Sequence, residues 1–241
     1  MSSATRNKTY VLVHGAYHGA WCWKEVTQTL RGKGHTVYTP TLTGLGERSH
    51  LLTAQTTLDT FIEDIAQVIK FEDLSEVILV GHSFAGSVLS AIADRMPDRL
   101  RHLVYLDALI LNSGESSADR SPERVEAYRQ KAIASGDGLS IPPAEPIHYG
   151  ITDSEQAKWY ETKLTPHPLQ TYYDKLHLKN TLGNGVPTTY IACSNPYFAT
   201  TEASRTIAQS MPGWEYLEIP TGHNAMSLMP EQLTQMLLAI T

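Results

Sequence analysis

The sequence predicts an α/β fold: a mostly parallel six-stranded sheet with helices on both faces and a small helical cap inserted late in the chain. Three observations lead there. Short apolar runs alternate with amphipathic stretches, as in chains that build parallel sheets. The alternation stops near residue 108 and resumes near residue 186, an interruption too long for an ordinary connection. Asp, Glu, Lys and Arg make up only 18% of the 241 residues, against about 25% in an average globular chain. A sheet buried on both faces demands that economy of charge.

The elements follow in order. Tyr10–His14 (YVLVH) is a short apolar run closed by Gly15 and reads as a buried strand. Trp21–Leu30 has helical spacing, with Trp23, Val26 and Leu30 on one face. His35–Thr39 is a second strand, stopped by Pro40. Leu58, Phe61, Ile62, Ile65, Val68 and Ile69 form one helical stripe. Glu76–Val80 (EVILV) is the clearest strand, ended by Gly81, and Phe84–Arg95 is a helix of small residues suited to close packing on a sheet. Arg101–Asp107 is the fourth strand. The polar, proline-rich stretch that follows admits short helices at 122–134 and 154–164. Pro187–Cys193, a helix near 200–210, a strand at Glu215–Ile219 and a closing helix from Pro230 complete the pattern. The expected organisation is one domain over 1–241, with a core of about 1–108 and 186–241 and a cap of about 109–185.

Composition narrows the function classes. A formal net charge of −6 disfavours nucleic acid, whose binders carry a basic face. No run approaches the ~20 apolar residues of a membrane span. The polar lead before the first strand lacks the form of a signal peptide. Two cysteines, Cys22 and Cys193, make neither a disulfide framework nor a structural zinc site. A cytoplasmic protein, monomeric or homodimeric, is the expectation.

In parallel sheets, ligands sit at the carboxyl ends of the strands, so chemistry is expected at those positions. Gly81-His82-Ser83-Phe84-Ala85-Gly86 places a serine between the clearest strand and a small-residue helix. A tight strand–turn–helix there lifts a hydroxyl above the sheet, as in a G-x-S-x-G nucleophile elbow, although the second small residue here is Ala85. The bland alternative is a helix N-cap serine. Thr221-Gly222-His223-Asn224 follows the last strand and supplies a base, His223, able to take the serine proton. His82, beside Ser83, projects differently from a sharp turn and is expected to be structural or to line the pocket. His14 and His18 share an i, i+4 spacing but lie on a strand end and loop, without the helical context of a zinc pair.

Asp107 ends the fourth strand and completes the chain order Ser83, Asp107, His223. A carboxylate at a buried strand terminus needs a partner, and a histidine would satisfy it and set that histidine's tautomer. A loop-capping role is the alternative. The other usual position for the acid, after the penultimate strand, reads Cys193-Ser194-Asn195-Pro196-Tyr197, with no carboxylate before Glu202. Backbone N–H groups of Ala16 and Phe84 are the candidate oxyanion donors, with Gly15 granting the backbone freedom beside them. Gly15, Tyr17, His82, Tyr149 and Trp159 are the candidate substrate contacts. The aromatic residues Tyr149, Trp159, Tyr160, Tyr172 and Tyr173 either line a pocket or fix the cap to the body. Gly44-x-Gly46 lacks the further residues of a phosphate loop and reads as a tight turn.

Together VLVHGAYHGAWCW (11–23), LTGLGERSH (42–50), LVGHSFAGSV (79–88), HLVYLDA (102–108) and PTGHNAM (220–226) resemble the α/β-hydrolase superfamily. Within it they look like short bacterial carboxylesterases, pyrethroid-type esterases and the plant methylesterase–hydroxynitrile lyase group. The resemblance implies a serine hydrolase of small or medium, rather apolar esters, working through an acyl-enzyme with no cofactor and no metal. Hydroxynitrile lyases of this group carry Thr at the position of Gly15 and Lys at that of Asn224, so the resemblance does not extend to cyanogenesis. Two other classes remain open: a lyase, epimerase or cyclase on the same scaffold, and a ligand-binding receptor with a vestigial triad.

Overall fold

The computed structural model describes residues 7–240; the polar lead, residues 1–6, and residue 241 lie outside the described residues. The strands are β1 (Thr9–Val13), β2 (Thr36–Tyr38), β3 (Val77–His82), β4 (Leu100–Leu106), β5 (Ser140–Ile141), β6 (His167–Pro168), β7 (Thr188–Cys193) and β8 (Glu215–Ile219). The helices are α1 (Lys24–Gly32), α2 (Leu58–Phe71), α3 (Ala85–Arg95), α4 (Ser117–Arg120), α5 (Pro122–Ser135), α6 (Ser154–Glu161), α7 (Gln170–Tyr173), α8 (Glu202–Ser210), α9 (Ala225–Leu228) and α10 (Pro230–Ala239).

Six strands form one sheet in the order β2-β1-β3-β4-β7-β8, and every pairing in it is parallel. The order reverses between β1 and β3, so the crevice beyond their carboxyl ends is the natural ligand site. Both sheet faces are buried. Val11, Val13, Val77 and Leu79 point to one side, against Phe61 and Ile65 of α2 and Val88 and Ile92 of α3. Tyr10, Leu12, Ile78 and Val80 point to the other, against Trp23, Val26 and Leu30, and against Leu233 and Leu237 of α10. Successive strand residues therefore serve opposite cores, which is why these runs are apolar without alternation.

Local chemistry sets the helix ends. Thr57 caps α2 by accepting from the Thr60 N–H at 3.3 Å, while the Thr60 hydroxyl accepts from the Thr57 N–H at 3.1 Å. The buried face of α2 follows the expected stripe, except that Val68 is half-buried and Ala66 lies inside. Between β4 and β7 the chain makes α4 to α7 and the antiparallel pair β5–β6, which joins Ile141 to His167. Two-residue strands and four-residue helices leave no period to read, and they were not legible in advance.

The small residues around Ser83 each answer a close approach. A Cβ on Gly81 would lie 2.2 Å from Leu89 Cδ1, and one on Gly86 would lie 2.0 Å from the Leu109 carbonyl oxygen. Gly86 thus lets α3 dock against the chain leaving β4, while Ala85 is accommodated. Gly86→Ala is expected to lower unfolding stability by about 1–3 kcal/mol, the usual cost of overpacking. Denaturant melts check this, and an unchanged midpoint would contradict it.

Candidate active site

The site assembles at the carboxyl ends of β1, β3, β4 and β8. Ser83 turns the chain from β3 into α3 with φ +54°, a left-handed conformation that lifts its side chain clear of the sheet. Its N–H donates to Leu106 O at 3.2 Å and its carbonyl accepts from Leu109 N–H at 2.8 Å, so the end of β4 braces the elbow. Asp107, just past β4, also has positive φ (+42°), and its N–H donates to Ile191 O at 2.7 Å. Two strained residues side by side, held by neighbouring strands, mark the place where the fold maintains an unfavourable geometry.

These turns bring Ser83, His223 and Asp107 together. Ser83 Oγ lies 2.9 Å from His223 Nε2, and His223 Nδ1 lies 2.7 Å from Asp107 Oδ2. An ionised carboxylate only accepts, so Nδ1 carries the proton and Nε2 is left to accept from the serine hydroxyl. Phe198 stacks on the imidazole with ring centroids 3.9 Å apart, holding its plane.

Asp107 is wholly buried and is not balanced by His223 alone. Its Oδ1 accepts from Arg205 Nη2 at 2.7 Å and from Thr201 Oγ1 at 3.0 Å. Arg205, on α8, also donates to Cys193 O at 2.6 Å and lies over the Tyr197 ring at 4.3 Å. Burial works against the guanidinium charge, but the Asp107 carboxylate outweighs it and pushes the Arg205 pKa up. Neither Arg205 nor Thr201 was foreseen. The signal available was the inward stripe of α8, Ser204, Arg205 and Ala208, with an arginine where an apolar residue is usual.

Four buried histidines frame the site without being its base. His14 accepts from Leu42 N–H at 3.0 Å through Nε2 and donates from Nδ1 to Gly15 O at 2.8 Å. His18 donates to Ala16 O at 2.7 Å and accepts from Asn224 Nδ2 at 2.9 Å. Both pin the loop that carries Ala16. His82 holds the His223 backbone, with Nε2 2.9 Å from His223 O, and His167 pairs with Thr171 at 3.0 Å. Desolvation by burial lowers His14 to about 4 and His18 and His167 to about 3, and drives His82 well below the ordinary value. Among the described residues, no group of three or more His, Cys, Asp or Glu side chains is placed to hold a metal ion.

A cavity of about 180 Å³ opens above Ser83, lined by Ala16, Tyr17, His82, Phe84, Tyr149, Tyr172 and other side chains described below. Phe84 stands at the N-terminus of α3, where the first N–H groups have no intrahelical acceptor. Two expectations change. Gly15 does not line the cavity and has no left-handed φ; it is glycine because a Cβ there would lie 2.8 Å from both Ser83 Cβ and His82 Nδ1. Trp159 does not reach the cavity either. Helix α6 turns Tyr160 inward and leaves Trp159 42% exposed, edge-on to Trp21 at 5.3 Å, in a separate surface groove. Of the aromatics between β4 and β7, Tyr149 and Tyr172 line the cavity, Tyr160 ties this segment to Ser227 at 2.5 Å, and Tyr173 faces outward.

The sequence and the fold as a whole find their counterpart in known proteins. Residues 10–235 match the model of the alpha/beta hydrolase family. The chain belongs to the α/β-hydrolase family. It is 34% identical to a carbendazim hydrolyzing esterase of Nocardioides sp. (strain SG-4G), covering 96% of this chain and 98% of the relative. It is 26% identical to methylesterase 2 of Arabidopsis thaliana, over 100% of this chain and 98% of the relative. Among solved structures, an extracellular α/β-hydrolase from a Paenibacillus species superimposes with a TM-score of 0.82 at 27% identity, covering 97% and 98% of the two chains. As a member of that family with esterase relatives, the chain is a hydrolase.

Two outcomes are expected. Asp107→Asn should lower turnover by about 10²–10⁴-fold through loss of the productive tautomer. It should also cost about 3–5 kcal/mol of stability, because Arg205 is left buried without its anion. Adding Arg205→Met should restore the melting temperature but not the rate; recovery of both would remove Asp107 from the site's chemistry. Second, the four neutral histidines contribute stability that is complete above about pH 6.5, because only the unfolded chain takes up their protons below it. Stability should therefore slope downward as pH drops below about 6.5 toward the folded values, near 4 for His14 and near 3 for His18 and His167. Urea midpoints at pH 7.5 and pH 5 read the slope, and equal midpoints would contradict it.

Proposed function

We propose that the protein is a carboxylic-ester hydrolase that works through an acyl-enzyme on Ser83. The observation that carries this reading is the unbroken line from Ser83 Oγ through His223 to the buried Asp107 carboxylate, at 2.9 and 2.7 Å, opening into an apolar cavity. His223 Nε2 accepts the Ser83 proton as Oγ bonds to the ester carbonyl carbon. Asp107 stabilises the imidazolium that forms and keeps the ring oriented. The N–H groups of Ala16 and Phe84 receive the negative oxygen of the tetrahedral intermediate. Collapse breaks the ester C–O bond, and His223 returns the proton to the departing alcohol. Water then attacks the acyl carbon, giving its proton to His223, and the second collapse frees the acid and restores Ser83 with that proton.

The reaction needs no cofactor or metal. Burial of Cys22 and Cys193 as free thiols fits work in a reducing, cytoplasmic setting, and the 109–185 segment acts as the cap that shapes the pocket. Among the described residues, no helix is long and apolar enough to cross a membrane. The close packing behind Gly15 leaves no room for the threonine of the resembling hydroxynitrile lyases, which favours hydrolysis over that lyase chemistry.

Nitrophenyl butyrate serves as the first substrate. The wild-type protein should release nitrophenol with an acyl-enzyme detectable by mass spectrometry, and Ser83→Ala should lower kcat by at least about 10⁴-fold. Equal rates in the two proteins would overturn the assignment. Saturable ligand binding without turnover would favour a receptor instead.

A further inference from the structure

The cavity wall carries charge of one sign only. Arg124, Tyr128 and Lys131 follow one another at i, i+4 and i+7 along α5, and all three line the cavity. Arg124 and Lys131 are the only Arg or Lys among the lining residues, and none of the lining residues is Asp or Glu. This is unusual for a chain of net charge −6. It is not explained by ion pairing, since among the described residues neither Arg124 nor Lys131 takes part in a salt bridge. The outward-facing arginine of the same helix is paired: Arg129 donates to Glu126 through two bonds of 2.8 Å. The cations facing the cavity are the ones left free.

Their position relative to the serine is equally informative. Phe84, next to Ser83, meets Tyr172 with centroids 5.1 Å apart, and Tyr172 meets Tyr128 at 5.2 Å. An aromatic wall thus runs from the nucleophile to the middle of α5, where Arg124 and Lys131 flank Tyr128. Leu109, Ile141 and Pro142 add further apolar lining. Arg124 is half-buried and Lys131 exposed, so the cations mark the outer end of that wall.

We propose that the substrates are esters carrying a carboxylate or similar anion at the far end of an apolar spacer, with the anion held by Arg124 and Lys131 while the ester lies at Ser83. The proposal rests on the reading of Ser83 as the nucleophile. An arginine can grip a carboxylate through two parallel N–H bonds, whereas the lysine supplies a steering charge. A positive rim on an acidic protein also draws anions toward the one opening where they are useful. Because the grip is remote from the reacting carbonyl and the same in ground and transition states, it should act on KM and leave kcat unchanged.

The test compares nitrophenyl half-esters of succinic, glutaric and suberic acids with neutral nitrophenyl esters of equal length. Carboxyphenyl and phenyl butyrates, compared in the same way, distinguish an anion on the alcohol side from one on the acyl side. The wild-type protein should favour the anionic member of at least one series through a lower KM, more so for the longer spacers. Arg124→Met should erase about tenfold of that preference and Lys131→Met about threefold, with rates on neutral esters retained. Added salt should shrink the preference. No preference for the anion, or equal losses on neutral and anionic esters, would overturn the proposal. If the wild-type protein hydrolyses none of these esters, the reading of Ser83 fails separately. Calorimetric binding of suberate monoester to wild type and Arg124→Met then decides the anion site by itself: weaker binding by the variant supports it, and equal binding refutes it.

Discussion

The Asp107 carboxylate is the interaction on which the site depends. It sits with no solvent exposure, at the end of an inner strand, and a bare charge there would be costly. Three groups make it tolerable: His223 on one oxygen, Arg205 and Thr201 on the other. Thr201 is the N-cap residue of α8 and Arg205 lies within it, while His223 follows β8, so the carboxylate ties β4, α8 and the loop after β8 into one unit. The imidazole is oriented as a consequence, and with it the direction from which Ser83 can lose its proton. Arg205 has two effects that oppose each other. It secures the position of Asp107, yet it competes with His223 for the same charge. The geometry divides the labour by oxygen, leaving Oδ2 to the histidine.

That arrangement also accounts for the empty position after β7. Where an acid is otherwise expected, the chain passes through Asn195-Pro196-Tyr197-Phe198 and uses the space for rings. Tyr197 covers the Arg205 guanidinium and Phe198 covers the His223 imidazole. Both shield the charged cluster from water, which strengthens its internal attractions. With the carboxylate at the end of β4, the β7 loop is free to cover the Asp107, His223 and Arg205 cluster.

Much of this was legible in the sequence, for a physical reason. Inner parallel strands buried on two faces must be apolar throughout, so their ends are sharp, and Gly15, Ser83 and Asp107 each stand within two residues of one. His223 instead lies four residues past the half-exposed edge strand β8 and was legible from chain order. Arg205 escaped because a helix residue reveals its direction only through a long periodic stripe, and α8 has nine residues. Trp159 and Tyr160 are adjacent on an eight-residue helix, too short to decide which ring faces in. The pairing of Ile141 with His167 is non-local and leaves no mark at either position. The pocket-facing cations of α5 were hidden in the same way. Their spacing is visible, but which face meets the cavity is a property of the assembled segment between β4 and β7.

A crystal structure of the protein treated with an alkyl phosphonate ester tests the central claim most directly. The expected adduct has phosphorus bonded to Ser83 Oγ and a phosphonyl oxygen about 2.7–3.1 Å from the Ala16 and Phe84 nitrogens. His223 should remain on Asp107 Oδ2, with Arg205 still on Oδ1. An unmodified Ser83, or an adduct around which His223 turns away from Asp107, would contradict the account.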